Sequence, residues 1–188
     1  MPSLDQALRA ALATRENLLA DLHAQGTDCY RLFHGSQEGA PGLTVDRYGP
    51  QLLVQSFHQP LAASDLHNII DSVETHLGQP LLPVYNDRSK GNSRIDRDPS
   101  LFQADDAALE DMVGREWGLN YRVRGRHAGQ DPLLFLDLRN ARGWIKTNSA
   151  GKSVLNLFAY TCGVGLCAAA GGAREVSNLD FAQGNLAV

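Results

Sequence analysis

Apolar positions change their period repeatedly along this chain, and each change marks an element. From Leu4 onward, Leu8, Ala11, Leu12, Leu18, Leu19 and Leu22 recur at helical spacing as far as Gly26, which predicts one amphipathic helix with a single core-facing stripe. Ser3 followed by Gln6 has the form of a capping box at its start. Beyond Cys29 the period shortens. CYRLFHG and LTVDRYG read as strands separated by the turn-rich SQEGAPG, and QLLVQSF after Gly49-Pro50 reads as a hairpin partner. Leu61, Leu66, Ile69, Ile70, Val73 and Leu77 then share one helical face, which Gly78 ends. LLPVYND is a further strand, directed to a sheet edge by Pro83. Residues 28–112 therefore form an α+β accessory domain of β-β-α-β type, after an N-terminal helix at 1–27, with an additional strand expected from residues 100–104.

LNYRVRGR, from Leu119 to Arg126, alternates, placing Arg122, Arg124 and Arg126 on one side and Tyr121 and Val123 on the other. Such a face suits a nucleic-acid groove and an ordinary solvated strand equally. LLFLD is expected to pair with it as a hairpin around HAGQDP, and Leu138 to Thr147 to form the next helix.

Lys152 to Asp180 has the densest apolar pattern. Val154 to Phe158 is a short, near-continuous apolar run, as in a buried parallel strand. AYTCGVG follows as a turn, then LCAAAGGA as a helix ending at Gly171 and Gly172, and Glu175 to Leu179 resumes an extended run that Asp180 closes. This is half of a nucleotide-binding α/β unit, so the fold class is α/β, with the start of a Rossmann-like sheet in residues 113–188.

Gly163-Val-Gly165-Leu-Cys-Ala168 satisfies G-x-G-x-x-A, a dinucleotide fingerprint that is weak when alone. In a nicotinamide-binding unit the strand runs almost directly into the first glycine. Here Ala159, Tyr160, Thr161 and Cys162 intervene after Phe158, a longer loop that suits the amino-acid end of a cofactor better than a pyrophosphate. A P-loop is excluded, since no lysine followed by serine or threonine is present in the turn. Asp180 lies 17 residues beyond Gly163, where a carboxylate accepts hydrogen bonds from ribose hydroxyls. The alternative is a cap for a helix starting near Phe181. Phe181 itself is placed either to stack on an adenine or simply to pack.

Composition narrows the possibilities. The 188 residues carry a net charge of −4 and are 43% hydrophobic and 20% charged, as in an ordinary globular protein with no global attraction for nucleic acid. RNA contact would need a local patch, and Asp87 to Pro99, with Arg88, Lys90, Arg94 and Arg97, is one candidate. Asp87, Asp96 and Asp98 offset those charges, so a solvated loop is the other reading. No apolar run approaches the roughly 18 residues of a membrane span. Cys29, Cys162 and Cys167 match no zinc spacing, as for reduced thiols in a cytoplasmic protein.

VLNLFAYTCGVGLCAAAGGAREV, preceded by LFLDLRNAR, resembles motif I and its lead-in in class I S-adenosylmethionine-dependent methyltransferases. More narrowly, it is similar to the bacterial 23S ribosomal RNA large-subunit methyltransferases, a group with cytosine-C5 and guanine-N7 modifying members. RLFHGSQEGAPGLTVDRYGPQLLVQSF resembles the central domain of the cytosine-C5 type. The likeness covers about residues 28–188. It implies S-adenosyl-L-methionine as cofactor and a ribosomal RNA base as substrate. It also implies a cofactor site in which Phe158, Ala159, Tyr160, Thr161, Gly163 and Gly165 hold the methionine part and Asp180 the ribose. Phe135, Asp137 and Arg139 match the family's F-L-D-x-R segment at the methionine end, although an aspartate at that place also suits a helix cap.

The chain departs from the family in having Cys162 where glycine is common, Asn178 where an apolar residue is common, and Gly129-Gln130-Asp131-Pro132-Leu133 in place of G-Q-K-T-G. Later motifs, including any catalytic cysteine, do not follow before Val188. A fragment with little activity alone is therefore expected, with a sheet edge open to dimerisation. A nicotinamide-dependent oxidoreductase fragment and a non-enzymatic RNA-binding module formed by residues 28–112 are the competing readings.

Overall fold

A computed structural model describes residues 3–89, 110–126 and 132–182, and the chain divides into two compact units, Met1–Pro132 and Leu133–Val188. The first unit opens with α1 (Leu4–Thr14) and α2 (Glu16–Ala24). Ser3 and Gln6 form the reciprocal capping box. The single helix expected over this stretch is broken at Arg15. The Arg15 amide donates to Leu12 O at 3.0 Å, and its guanidinium donates to Ala11 O and pairs with Glu38. Tertiary pairing with Glu38 thus holds the residue at which the helical stripe would otherwise continue.

β1 (Cys29–His34), β2 (Leu43–Tyr48), β3 (Gln51–Ser56) and β4 (Leu82–Asp87) form one sheet in that spatial order. Between β1 and β2 the SQEG segment folds as one helical turn, α3 (Gly35–Glu38). α4 (Ala63–Leu77) links β3 to β4 and ends at Gly78 with φ +66°, a left-handed conformation that glycine adopts without strain. β1–β2 and β2–β3 are antiparallel, and β3–β4 is parallel. The carboxyl ends of β1, β3 and β4 consequently lie at the same edge. β2 and β3 are buried along their whole lengths, as central strands covered on both faces must be. β4 is an edge strand, in keeping with Pro83.

On one face Leu8, Leu12, Leu66, Ile69 and Val73 from α1 and α4 pack on Phe33, Val45, Leu52, Val54 and Tyr85. Full burial stabilises each large aliphatic side chain by about 1.5–3 kcal/mol. The other face meets a hairpin of β5 (Met112–Glu116) and β6 (Leu119–Val123). There a Cβ on Gly114 would stand 2.4 Å from Cys29 Sγ, and one on Gly125 would stand 2.9 Å from Val84 Cγ2. β6 therefore pairs with β5, and LLFLD forms no strand, contrary to the expected hairpin around HAGQDP. The hairpin belongs to the first unit, whereas the sequence reading placed residues from 113 onward in the second. The strand expected at residues 100–104 lies outside the described residues.

The second unit runs through a 3₁₀ turn (Leu136–Leu138), α5 (Arg139–Asn148), β7 (Ser153–Leu157), α6 (Gly163–Ala170) and β8 (Glu175–Leu179). β7 and β8 are parallel, with Asn156 opposite Asn178 and Leu157 opposite Leu179. The strand–turn–helix–strand order follows the sequence reading. Burial of β7 does not: Leu155 is 64% and Leu157 52% exposed. α6 lies on the face carrying Asn156 and Asn178, and among the described residues no element covers the opposite face.

Candidate cofactor site

The turn between β7 and α6 is built from backbone that side-chain-bearing residues rarely adopt. Phe158, Tyr160 and Cys162 have φ of 56°, 49° and 62°. Each left-handed non-glycine residue costs on the order of 1 kcal/mol or more and persists only where its surroundings hold it. Ala159 N donates to Leu179 O at 3.0 Å, and Cys162 N to Ala159 O at 2.8 Å. Tyr160 N donates to Asp180 Oδ2 at 2.8 Å. Thr161 Oγ1 donates to Leu133 O at 2.6 Å, and the Tyr160 ring lies tilted against Phe135 at 5.1 Å between centroids. Two strand ends and the LFLDLR segment converge on four consecutive residues.

The same turn prepares α6 to receive an anion. Its N-cap is Cys162, in the left-handed region and without a side-chain hydrogen bond into the helix. The amides of the first turn have no intrahelical acceptor and sit at the positive end of the helix dipole. Gly165 is buried, and a Cβ there would stand 2.2 Å from Asn178 Oδ1. Asn178 Oδ1 in turn accepts from Asn156 Nδ2 at 2.9 Å. Ala168, at the third fingerprint position, is fully buried. The Cys162 thiol is raised above its ordinary pKa, first by burial and then by the Asp180 carboxylate. A neutral thiol in that turn is not an activated nucleophile.

Asp180 uses both oxygens. Oδ2 accepts from Tyr160 N, and Oδ1 accepts from Ala182 N at 2.8 Å. The second bond has the form of a local aspartate turn, so the capping alternative is realised in part. Phe181 follows at 89% exposed. Asp137 stands in the 3₁₀ turn, exposed, with no hydrogen bond or ion pair among the described residues. It does not cap α5, whose N-cap is Leu138 with no side-chain bond. Arg139 opens α5 and is half-buried. Phe135 O accepts from Arg142 Nη2 at 2.7 Å, with Arg142 only 2% exposed, which holds the segment against α5.

The arginines singled out for RNA are dispersed. Arg122 and Arg124 both engage Asp111, with Arg124 Nη2 at 2.6 Å. Arg126 is buried, with its guanidinium on Asn86 Oδ1 and Tyr85 O, so the three-arginine face does not form. The backbone leaves the strand after Val123, and its alternation ends there. Arg88 follows β4 and lies over the Phe57 ring at 5.2 Å. Lys90 and Arg94 lie outside the described residues. The Asn156–Asn178 pair was missed from the sequence, although its signal is visible: each of the two expected strands carries an asparagine one residue before its last leucine.

A profile of the S-adenosylmethionine-dependent methyltransferase family matches residues 30–188. A ribosomal RNA large subunit methyltransferase from Deinococcus radiodurans is 35% identical over 93% of this chain and 43% of its own length. Ribosomal RNA large subunit methyltransferase I from Erwinia tasmaniensis is 31% identical over 97% of this chain and 43% of its own. Among solved structures, one described as a SAM-dependent methyltransferase from Streptococcus mutans superposes with a TM-score of 0.74, at 25% identity over 97% of this chain and 46% of that one. Another, a methyltransferase complexed with SAH, gives the same TM-score over 45% of its chain. The chain thus spans less than half the length of these relatives.

Proposed function

This chain belongs to the S-adenosylmethionine-dependent methyltransferase family, and on that premise we propose that it forms half of the cofactor pocket of an enzyme that methylates a base in ribosomal RNA. The observation that carries the reading is the convergence of Phe135, Thr161, Tyr160 and Asp180 on one left-handed turn ahead of an uncapped helix. The donor set fits the cofactor's chemistry. First-turn amides of α6 suit its carboxylate, the Asp137 carboxylate suits its ammonium, and the Asp180 carboxylate at the end of β8 suits ribose hydroxyls. Phe181 offers an exposed ring for adenine. When bound, S-adenosylmethionine supplies an electrophilic methyl group. The residues described here bind and orient, and the rate gain assigned to them is one of positioning.

Ribosomal RNA as substrate rests on the names of the relatives, and a cytoplasmic location is proposed together with it. No helix among the described residues is long and apolar enough to cross a membrane. The β7–β8 sheet exposes Leu155, Leu157 and Leu179, and an open two-stranded sheet of this kind supports self-association to a homodimer when the chain is isolated. An oxidoreductase reading loses ground because the fingerprint glycines sit within α6, after a strained four-residue turn, and no direct strand-to-glycine passage exists.

Calorimetry on the chain tests the proposal. S-adenosylhomocysteine is expected to bind more tightly than NAD, and Asp180→Ala to weaken that binding at least tenfold. Preferential binding of NAD, or an Asp180→Ala variant with unchanged affinity, would sink the reading.

A further inference from the structure

The second face of the four-stranded sheet carries a polar row with no role in the cofactor site. His34, Thr44, Gln55 and Asn86 stand opposite one another across β1, β2, β3 and β4, so their side chains share a face. Two members are satisfied from outside the row: Gln55 Oε1 accepts from Arg88 Nη1 at 3.3 Å, and Asn86 Oδ1 from Arg126 Nε at 2.9 Å. The other two are not. Thr44 is 9% exposed with no partner for Oγ1, and His34 has none for Nδ1. A buried polar atom left unpaired is unfavourable by itself.

The neighbourhood of these atoms has the composition of a ligand edge. The carboxyl ends of β1, β3 and β4 meet here, with the amino end of β2 between those of β1 and β3. Phe57 extends β3, donating its amide to Gly42 O at 2.7 Å, and Arg88 extends β4, donating its amide to Ser56 O at 2.7 Å. Backbone bonds therefore fix both members of the stacked Arg88–Phe57 pair, and Phe57 remains 38% exposed. Nearby acids are largely engaged: Asp46 is held in two contacts by Arg31, Glu38 accepts from His34 N, and Asp87 accepts from Ser89 N.

We infer that this edge is a nucleotide subsite for single-stranded RNA. One base stacks on Phe57 beside the Arg88 guanidinium, and Thr44 Oγ1 and His34 Nδ1 hydrogen-bond to its edge. A cation, an exposed ring and unpaired polar atoms are the combination single-strand recognition uses. The choice of RNA over another polyanion rests on the proposed ribosomal substrate, and His34, Thr44, Phe57 and Arg88 are none of the residues assigned to the cofactor.

Fluorescence anisotropy of the 188-residue chain with a labelled oligouridylate and a labelled oligoadenylate tests it. Binding is expected to fall with salt, and Phe57→Ala to weaken it about tenfold. Arg88→Gln is expected to lower the salt slope by about one. Thr44→Val is expected to weaken binding about threefold to tenfold, and Thr44→Ser, which keeps the hydroxyl, to restore it. Thermal melts of each variant confirm folding. S-adenosylhomocysteine affinity, measured on the same samples, should not change. If the folded Phe57→Ala and Thr44→Val variants bind like the parent, or if inorganic polyphosphate of equal charge displaces RNA as well as RNA itself does, the subsite is wrong. RNA binding lost in these variants without any S-adenosylhomocysteine binding would uphold the subsite and overturn the cofactor reading. The reverse pattern would do the opposite.

Discussion

Replacing Gly165 with alanine probes the support beneath the cofactor turn most directly. The new methyl would stand 2.2 Å from Asn178 Oδ1 and 2.8 Å from its Cγ and Nδ2, inside any tolerated contact. Asn178 cannot simply turn away, because its Oδ1 accepts the Asn156 Nδ2 hydrogen bond at 2.9 Å. Overpacking of this kind costs about 1–3 kcal/mol, and loss of the amide bond about 1 kcal/mol more. Against this, alanine gains about 1 kcal/mol over glycine in a helix. The net expectation is a destabilisation of about 2 kcal/mol. In an Asn178→Ala background the obstructing amide is gone, and the same substitution should become neutral or stabilising by up to about 1 kcal/mol. A double-mutant cycle, read by hydrogen exchange at α6 and β8, should then give a coupling of about 2–3 kcal/mol. A coupling below about 0.5 kcal/mol would refute the argument that Asn178 is what makes position 165 require glycine.

Three further expectations follow from other contacts. Gly171→Ala places a Cβ 2.1 Å from Lys146 O, whereas Gly39→Ala meets nothing within 4 Å. Urea titrations should show a cost above about 2 kcal/mol for the first and about 1 kcal/mol for the second, from its left-handed backbone alone. His23 Nε2 lies 2.8 Å from Tyr30 OH, which also accepts from Arg47 Nη1; the hydroxyl then donates to a neutral imidazole. Burial and the Arg47 charge lower the His23 pKa below its ordinary 6.5. The folded state thus binds this proton less readily than the unfolded state, and the contribution, complete above about pH 6.5, is lost as pH falls through the lowered value. Thermal melts from pH 7.5 to 5 should show that slope, and His23→Gln should flatten it. Asp111 is held below the ordinary carboxylate pKa, first by its hydrogen bond from Arg122 and then by Arg124. Asp111→Asn should cost under about 1 kcal/mol, a difference that vanishes in high salt or in acid.

Much of the architecture was legible in the sequence because it depends on local rules. The Ser3–Gln6 box, the hairpin at Gly49-Pro50, the stop at Gly78 and the strand–turn–helix–strand order from Ser153 to Leu179 follow from capping, turn chemistry and periodicity within a few residues. Pro83 directed β4 to an edge for an equally local reason, its missing donor. The left-handed turn was legible as a place, since four residues separate Phe158 from Gly163, but its conformation was not. No residue type there announces a positive φ at Phe158, Tyr160 and Cys162.

Contacts distant in sequence decided the rest. Glu38 holds Arg15 at the point where the first helical stripe breaks. β6 takes β5 as partner over LLFLD because β5 covers Cys29, and Gly125 just after β6 covers Val84, on the sheet's second face. Arg126 keeps the parity of Arg122 and Arg124 in the sequence, yet it turns inward to Asn86 and Tyr85 once the strand has ended. Periodicity assigns a residue to a face only while the backbone remains regular, and burial depends on whether another element covers that face. The sequence alone determined where the candidate cofactor turn lies. The tertiary structure decided what holds it: Asp180 on the Tyr160 amide, Leu133 O on Thr161, and the paired amides of Asn156 and Asn178 beneath Gly165.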